Sequence, residues 1–180
     1  MSLNCIILDD YQNVALSLAD WATLEPTVYT TALTHHYDDQ DELARHIAHA
    51  DILVVMRERT PLTAELIGRL PNLKLVVTSG MRNASIDLHA CAERYIAVCG
   101  TASSSAAPME LSWGLLIGLA RHIGIENQAL RANGPWQQTL GLGLHGKTLG
   151  LLGLGKIGGE MAKVAQAFGM RVCAWSQNLT

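Results

Sequence analysis

The residues best spaced for chemistry are the glycines of Gly153-Leu154-Gly155-Lys156-Ile157-Gly158, a G-x-G-x-x-G run. The stretch Lys147-Thr148-Leu149-Gly150-Leu151-Leu152 leads directly into it and reads as a strand. Beyond it, Ile157, Met161, Val164, Ala165 and Phe168 share one helical face; Gly169 ends that helix, and Met170 to Trp175 reads as a returning strand. Together they predict a complete βαβ unit with a dinucleotide site at its first turn. Gly153 permits the tight turn, Gly155 lets the backbone approach a pyrophosphate, and Gly158 lets the helix lie against the strand. The first helical N–H groups, at Lys156, Ile157 and Gly158, would meet the diphosphate with a partial positive charge. About 20 residues past the glycines, where Asp or Glu usually selects NAD, stands Ser176, followed by Gln177 and Asn178. A hydroxyl can bond the ribose 2′-OH without repelling a 2′-phosphate. No Arg follows to attract that phosphate, so NAD and NADP both remain open.

Other constellations carry less. His35, His36, His46 and His49 lie near Asp38, Asp39 and Asp41, but the segment is polar and amphipathic, and a metal needs converging ligands with a supporting shell. We expect solvated histidines and no metal site. Ser103-Ser104-Ser105 lacks a nucleophile-elbow pattern. Lys147 and Lys156 flank the glycine turn and are read either as phosphate neighbours or as solvent-facing lysines. Cys5, Cys91, Cys99 and Cys173 form no C-x-x-C pair and are expected as reduced, buried thiols. Trp21, Trp113, Trp136 and Trp175 read as packing residues.

The elements needed to position these residues follow from the apolar pattern. Leu3 to Leu8 is a predicted strand closed by Asp9-Asp10, Val14 to Leu24 a helix, Thr27 to Thr31 a strand and Asp38 to Ala50 a helix. Ile52 to Met56 is an unbroken apolar run, hence a buried strand. Thr63 caps a short helix that ends before Pro71-Asn72; Leu73 to Thr78 is a strand, Ile86 to Arg94 a helix and Tyr95 to Cys99 a strand. Alternating strands and helices predict a flavodoxin-like, doubly wound parallel sheet over residues 1–99. Gly100 to Ala107 reads as a linker or hinge. A long helix then opens at Pro108, with Glu110 in its first turn, and runs to Ala132 before Asn133-Gly134-Pro135. Gly114 and Gly118 share one face of it, suited to internal helix packing or to an interface. Residues 100–180 thus begin a Rossmann dinucleotide-binding domain.

Composition narrows the partners. With 49% hydrophobic and 16% charged residues, the 180-residue chain suits a globular protein with a sizeable core. A net charge of -3 and 5% aromatics give neither the basic footprint nor the stacking platforms of a nucleic-acid binder. The longest apolar run, Leu111 to Ala120, is too short to span a bilayer, and the Met1 to Leu8 start lacks the cationic opening of a signal peptide. A cytoplasmic location is expected, so the sequons Asn83-Ala84-Ser85 and Asn178-Leu179-Thr180 would stay unused.

The run Gly146-Lys147-Thr148-Leu149-Gly150-Leu151-Leu152-Gly153-Leu154-Gly155-Lys156-Ile157-Gly158, with the later Ala167-Phe168-Gly169-Met170, resembles the D-isomer-specific 2-hydroxyacid dehydrogenases. Arg57-Glu58-Arg59-Thr60-Pro61-Leu62-Thr63, Pro108-Met109-Glu110-Leu111 and Gly134-Pro135-Trp136 support the resemblance, which spans nearly the whole chain. It implies hydride transfer between NAD(P) and a small 2-hydroxy or 2-keto acid, with residues 1–99 as the substrate-side domain. The long helix, often a dimer contact in that family, implies a homodimer through residues 108–132.

The resemblance also implies an Arg and a Glu–His pair as the catalytic groups. Their motifs have no counterpart here, so they are expected beyond Thr180; His122 and His145 are not assigned to the task. The substrate loop carries over onto Ser79-Gly80-Met81-Arg82-Asn83-Ala84-Ser85, where Met81, Arg82 and Asn83 would meet a small anionic substrate. Arg82 replaces the family's usual Gly and either brings a planar fork suited to carboxylate or phosphate or is a solvated loop arginine. Arg57 and Arg59 suit the same acid, or else pair with Glu58 or Glu65 at the surface. The competing expectation is a non-catalytic dinucleotide-binding or regulatory module, or a truncated fragment, since the chain lacks the catalytic half.

Overall fold

The computed structural model describes residues 2–177. It divides into two compact units, Met1–Ser103 and Ser104–Thr180.

In the first unit, β1 (Leu3–Ile7), β2 (Val28–Ala32), β3 (Ile52–Val55), β4 (Leu75–Thr78) and β5 (Ala97–Gly100) form one parallel sheet in the order β2-β1-β3-β4-β5. That is the flavodoxin-like order. Apolar alternation sets the faces: Leu53, Val55 and Val76 are fully buried, while Ile52, Val54 and Leu75 are only partly covered. The buried face joins one core with Leu43, Ala44 and Ile47 of α1 (Gln40–Ile47), Leu66 and Ile67 of α2 (Ala64–Gly68), and Ala90 and Cys91 of α3 (Leu88–Glu93). Each helix begins on a side-chain cap: Asp39 accepts from Asp41 N–H, Thr63 from Leu66 N–H and Asp87 from Ala90 N–H.

Val14 to Leu24 is not one helix. It forms two 3₁₀ turns, Ala15–Ser17 and Trp21–Leu24. The buried Asp10 carboxylate draws in the N–H groups of Val14 and Ala15, and the Trp21 indole bonds the Ala15 carbonyl, which fixes two local turns instead of a continuous ladder.

In the second unit, α4 (Ala106–Ala120) starts two residues before Pro108, with Ser105 at its N-cap position making no side-chain cap bond. Proline is tolerated there because first-turn N–H groups have no partner within the helix. The helix expected to reach Ala132 stops at Arg121, and α5 (Ile123–Arg131) follows. His122 takes the left-handed conformation, φ +53°, one that His adopts more readily than bulky residues. The released Ala120 carbonyl accepts Leu142 N–H, and Glu126 binds Gln138 N–H, Thr139 N–H and the Thr139 hydroxyl. The returning loop therefore takes over the Ala120 carbonyl, which a straight helix would have used, and is anchored to α5 through the Glu126 side chain.

β6 (Thr148–Leu152) and β7 (Arg171–Trp175) pair in parallel, joined by α6 (Lys156–Ala167). Their covered face packs Leu149, Leu151 and Val172 with Trp113 of α4 and Met161 and Ala165 of α6; Trp113 stacks on Phe168. Thr148, Leu152, Arg171, Cys173 and Trp175 are exposed. Among the described residues no helix is long and apolar enough to cross a membrane.

Burial corrects several expectations. Trp113 is buried, but Trp136 and Trp175 are 79% and 66% exposed, so neither is a core residue. Cys5 and Cys91 are buried; Cys99, on the edge strand β5, and Cys173 are exposed. Gly114 and Gly118 face open space, and a Cβ at either would meet no atom within 4 Å, so they do not serve packing within the unit.

Candidate functional site

The second unit builds the glycine turn from three different backbone constraints. Gly153 has φ +101°, a left-handed conformation that favours glycine, and its N–H bonds the Trp175 carbonyl at 2.7 Å, tying the turn to the end of β7. Gly158 lies so near the turn after β6 that a Cβ would clash with the Gly153 carbonyl oxygen. Gly155 is the opposite case. It caps α6, and a Cβ there would meet no atom within 4 Å. The helix start has no side-chain cap, so its first N–H groups face outward beside that open space. Lys156 and Ile157 are exposed and Gly158 is half-buried. Uncapped N–H groups, a positive helix end and room where a side chain would sit fit a diphosphate. Ser176 follows β7 and is half-buried; Asn178, expected beside it, lies outside the described residues.

In the first unit, the sheet order brings the loops after β1, β3 and β4 side by side at the carboxyl edge. Arg57 and the substrate loop meet there. At Gly80, φ +91°, a Cβ would stand 2.7 Å from Arg57 Cδ, so the arginine stem lies across the loop. The Arg57 N–H bonds Ser79 Oγ at 3.1 Å. Gly100 also lies against this loop: its Cβ would be 2.7 Å from the Gly80 carbonyl oxygen, a contact that sequence reading missed because it assigned Gly100 to a hinge. Met81 is 72% exposed and Arg82 is exposed.

Asn83 has a different setting. Its Nδ2 donates to Thr78 Oγ1 at 3.0 Å, and its Oδ1 accepts the N–H groups of Ser85 and Glu58 at 3.0 and 3.4 Å. It closes the loop from within. A cleft of about 440 Å³ lies beside it, walled by Thr78, Met81, Arg82, Ile86, Leu88 and Val98. Arg59 pairs with neither Glu58 nor Glu65 among the described ion pairs; its Nη1 donates to the Asp9 carbonyl at 2.8 Å.

Among the described residues no group of His, Cys, Asp and Glu converges as a metal site. Burial pushes the Cys5 and Cys91 thiols up from their ordinary value. Both are therefore poor nucleophiles.

Both units match one family of sequences. Residues 6–114 match the catalytic domain of the D-isomer specific 2-hydroxyacid dehydrogenases, and residues 113–180 match the NAD binding domain of the same group. The chain belongs to the D-isomer specific 2-hydroxyacid dehydrogenase family. A hydroxypyruvate reductase from Thermotoga maritima is 40% identical over 146 residues, which take in 79% of this chain and 47% of that protein. A D-3-phosphoglycerate dehydrogenase from Methanocaldococcus jannaschii is 37% identical over 139 residues, 76% of this chain and 26% of that one. The crystal structure of phosphoglycerate oxidoreductase from Vibrio cholerae superposes with a TM-score of 0.91 at 35% identity, covering 98% of this chain and 56% of that one. The chain thus spans about half the length, or less, of the relatives it matches.

Proposed function

We propose that the protein is an oxidoreductase that moves a hydride between NAD or NADP and a small 2-hydroxy or 2-keto acid. The observation that carries this reading is the uncapped start of α6 facing open space at Gly155, in a chain whose family is defined by that chemistry. When bound, the nicotinamide supplies or accepts the hydride. Gly153 shapes the turn, Gly155 gives the diphosphate room, the backbone N–H groups of Lys156, Ile157 and Gly158 hold it, and Ser176 meets the ribose. Residues 1–99 carry the acid site and residues 100–180 open the cofactor domain.

Arg57 and Arg82 bind the anionic end of the acid, Met81 flanks it, and Asn83 keeps the loop in its binding shape. We assign the proton-transfer step to none of the described residues. The four unpaired cysteines support a reducing, cytoplasmic setting. The apolar face of α4 supports a homodimer through that helix and α5.

The test is turnover by the full-length protein. It is offered a set of small 2-keto acids with NADH or NADPH, and loss of the reduced cofactor is followed by absorbance. We expect at least one acid to be consumed. Arg82→Ala should then raise its KM by about tenfold, the scale of one lost charge-assisted hydrogen bond, with kcat little changed. If no acid is consumed, the enzyme reading fails and a non-catalytic dinucleotide-binding module takes its place.

A further inference from the structure

Asp9 is 2% exposed, and its backbone sits in the left-handed region at φ +60°. It belongs to neither the proposed acid site nor the glycine turn. Its carboxylate is nevertheless fully engaged by side chains from elsewhere in the unit. Oδ1 lies 3.0 Å from His36 Nδ1 and accepts the Tyr11 hydroxyl at 3.2 Å. Oδ2 accepts the hydroxyl of Thr60, itself 4% exposed, at 2.7 Å. The Asp9 carbonyl takes Arg59 Nη1 at 2.8 Å, and the guanidinium lies over the Tyr11 ring, 4.6 Å from its centre.

The neighbouring Asp10 is buried as well, but its carboxylate binds the turn that follows it, through Val14 and Ala15 N–H. The bonds of Asp9 reach instead to the turn after β3. Two anchors on that turn, Arg59 and Thr60, are fixed to β1's end, while Arg57 on the same turn crosses Gly80 at the end of β4. Since β3 lies between β1 and β4, the turn is held on both sides. A buried carboxylate is an expensive way to join two loops when apolar contact would serve for stability alone. What it adds is one defined geometry.

We propose that Asp9 is a positioning residue for the acid site: through Thr60 and Arg59 it fixes the Met56–Thr60 turn, and so sets where Arg57 meets the substrate anion. The proposal rests on the reading that Arg57 and the Gly80–Asn83 loop form the acid site. Arg59, with one donor on Asp9 and its face on Tyr11, is the tether.

Four variants of the full-length enzyme test it, each with its melting temperature measured. Thr60→Val removes the hydroxyl and keeps the shape; Thr60→Ser keeps the hydroxyl. Asp9→Asn removes the charge with a residue that tolerates the left-handed region. Arg57→Ala controls for the site itself. We expect Thr60→Val and Asp9→Asn to raise KM for the 2-keto acid about tenfold, with kcat and NADH affinity within about twofold of the parent. Thr60→Ser should restore KM.

A purely structural role would lower the melting temperature and leave KM unchanged, which overturns the proposal. So does a raised KM in Thr60→Ser equal to that of Thr60→Val. If Arg57→Ala itself leaves KM unchanged, the acid-site reading fails and takes the proposal with it. If Arg57→Ala raises KM while the others do not, the positioning role alone fails. Should Asp9→Asn not fold, the Thr60 pair decides.

Discussion

Asp51, 8% exposed, sits at the amino-terminal edge of the first sheet, where Lys74 Nζ donates to it at 2.6 Å and the Asn4 N–H at 2.9 Å. The Lys74 hydrogen bond, then the Asn4 N–H, hold its carboxyl below the usual carboxylate range, against the opposing effect of burial. A depressed native value means that the stability it contributes is present above the unfolded value, about 3.9, and is lost as pH falls through the lower native value. Asp51→Asn should therefore melt below the parent at neutral pH, and the two melting curves should converge in acid. A gap that stays constant with pH would contradict this. Gly158→Ala is a second residue-level test. Its Cβ would press on a backbone carbonyl that cannot swing away, so we expect a loss of about 1–3 kcal/mol in denaturant unfolding. The turn at Gly153 and the close approach at Gly158 were legible in sequence because each task is local. The exposure of Trp136, Trp175 and Cys173 was not, because it depends on what covers a strand or loop, and residue type does not reveal that.

At the scale of elements, the strands followed the apolar pattern closely and Thr63 capped its helix as expected, and the two broken helices had a common cause. Val14–Leu24 and the helix drawn from Pro108 to Ala132 both contain helix-compatible residues without a proline or glycine at the break. In each case a group outside the helix ladder holds a backbone polar group: the Asp10 carboxylate takes the Val14 and Ala15 N–H groups in the first, and the Leu142 N–H takes the Ala120 carbonyl in the second. Before it ends, α4 presents Leu111, Leu115 and Leu119, one turn apart and 64%, 66% and 79% exposed, beside the open Gly114 and Gly118. A stripe of this kind at helical spacing suits a second helix. The proposed homodimer would cover it, so Leu115→Glu should shift the full-length protein to monomer in sedimentation velocity while its melting profile keeps a single cooperative unfolding of the first unit. An unchanged assembly state would place any dimer contact elsewhere.

For the whole molecule, the flavodoxin-like sheet followed from the alternation of strands and helices, and the family from the glycine run with its supporting segments. The proposed acid site was only partly legible. Arg57, Met81 and Arg82 were proposed from the resemblance, whereas the contact of Gly100 with the loop and the bonds of Asp9 emerge only in the structure, since neither residue type nor spacing marks them. The central claim is that the turn at Gly155 holds a nicotinamide dinucleotide. An equilibrium titration of the full-length protein with NADH and NADPH, run beside Gly155→Asp, tests it most directly. We predict saturable binding of at least one cofactor, lost in the variant while the melting temperature of the first unit is kept. Undiminished binding by Gly155→Asp, or no binding by the parent, would contradict it.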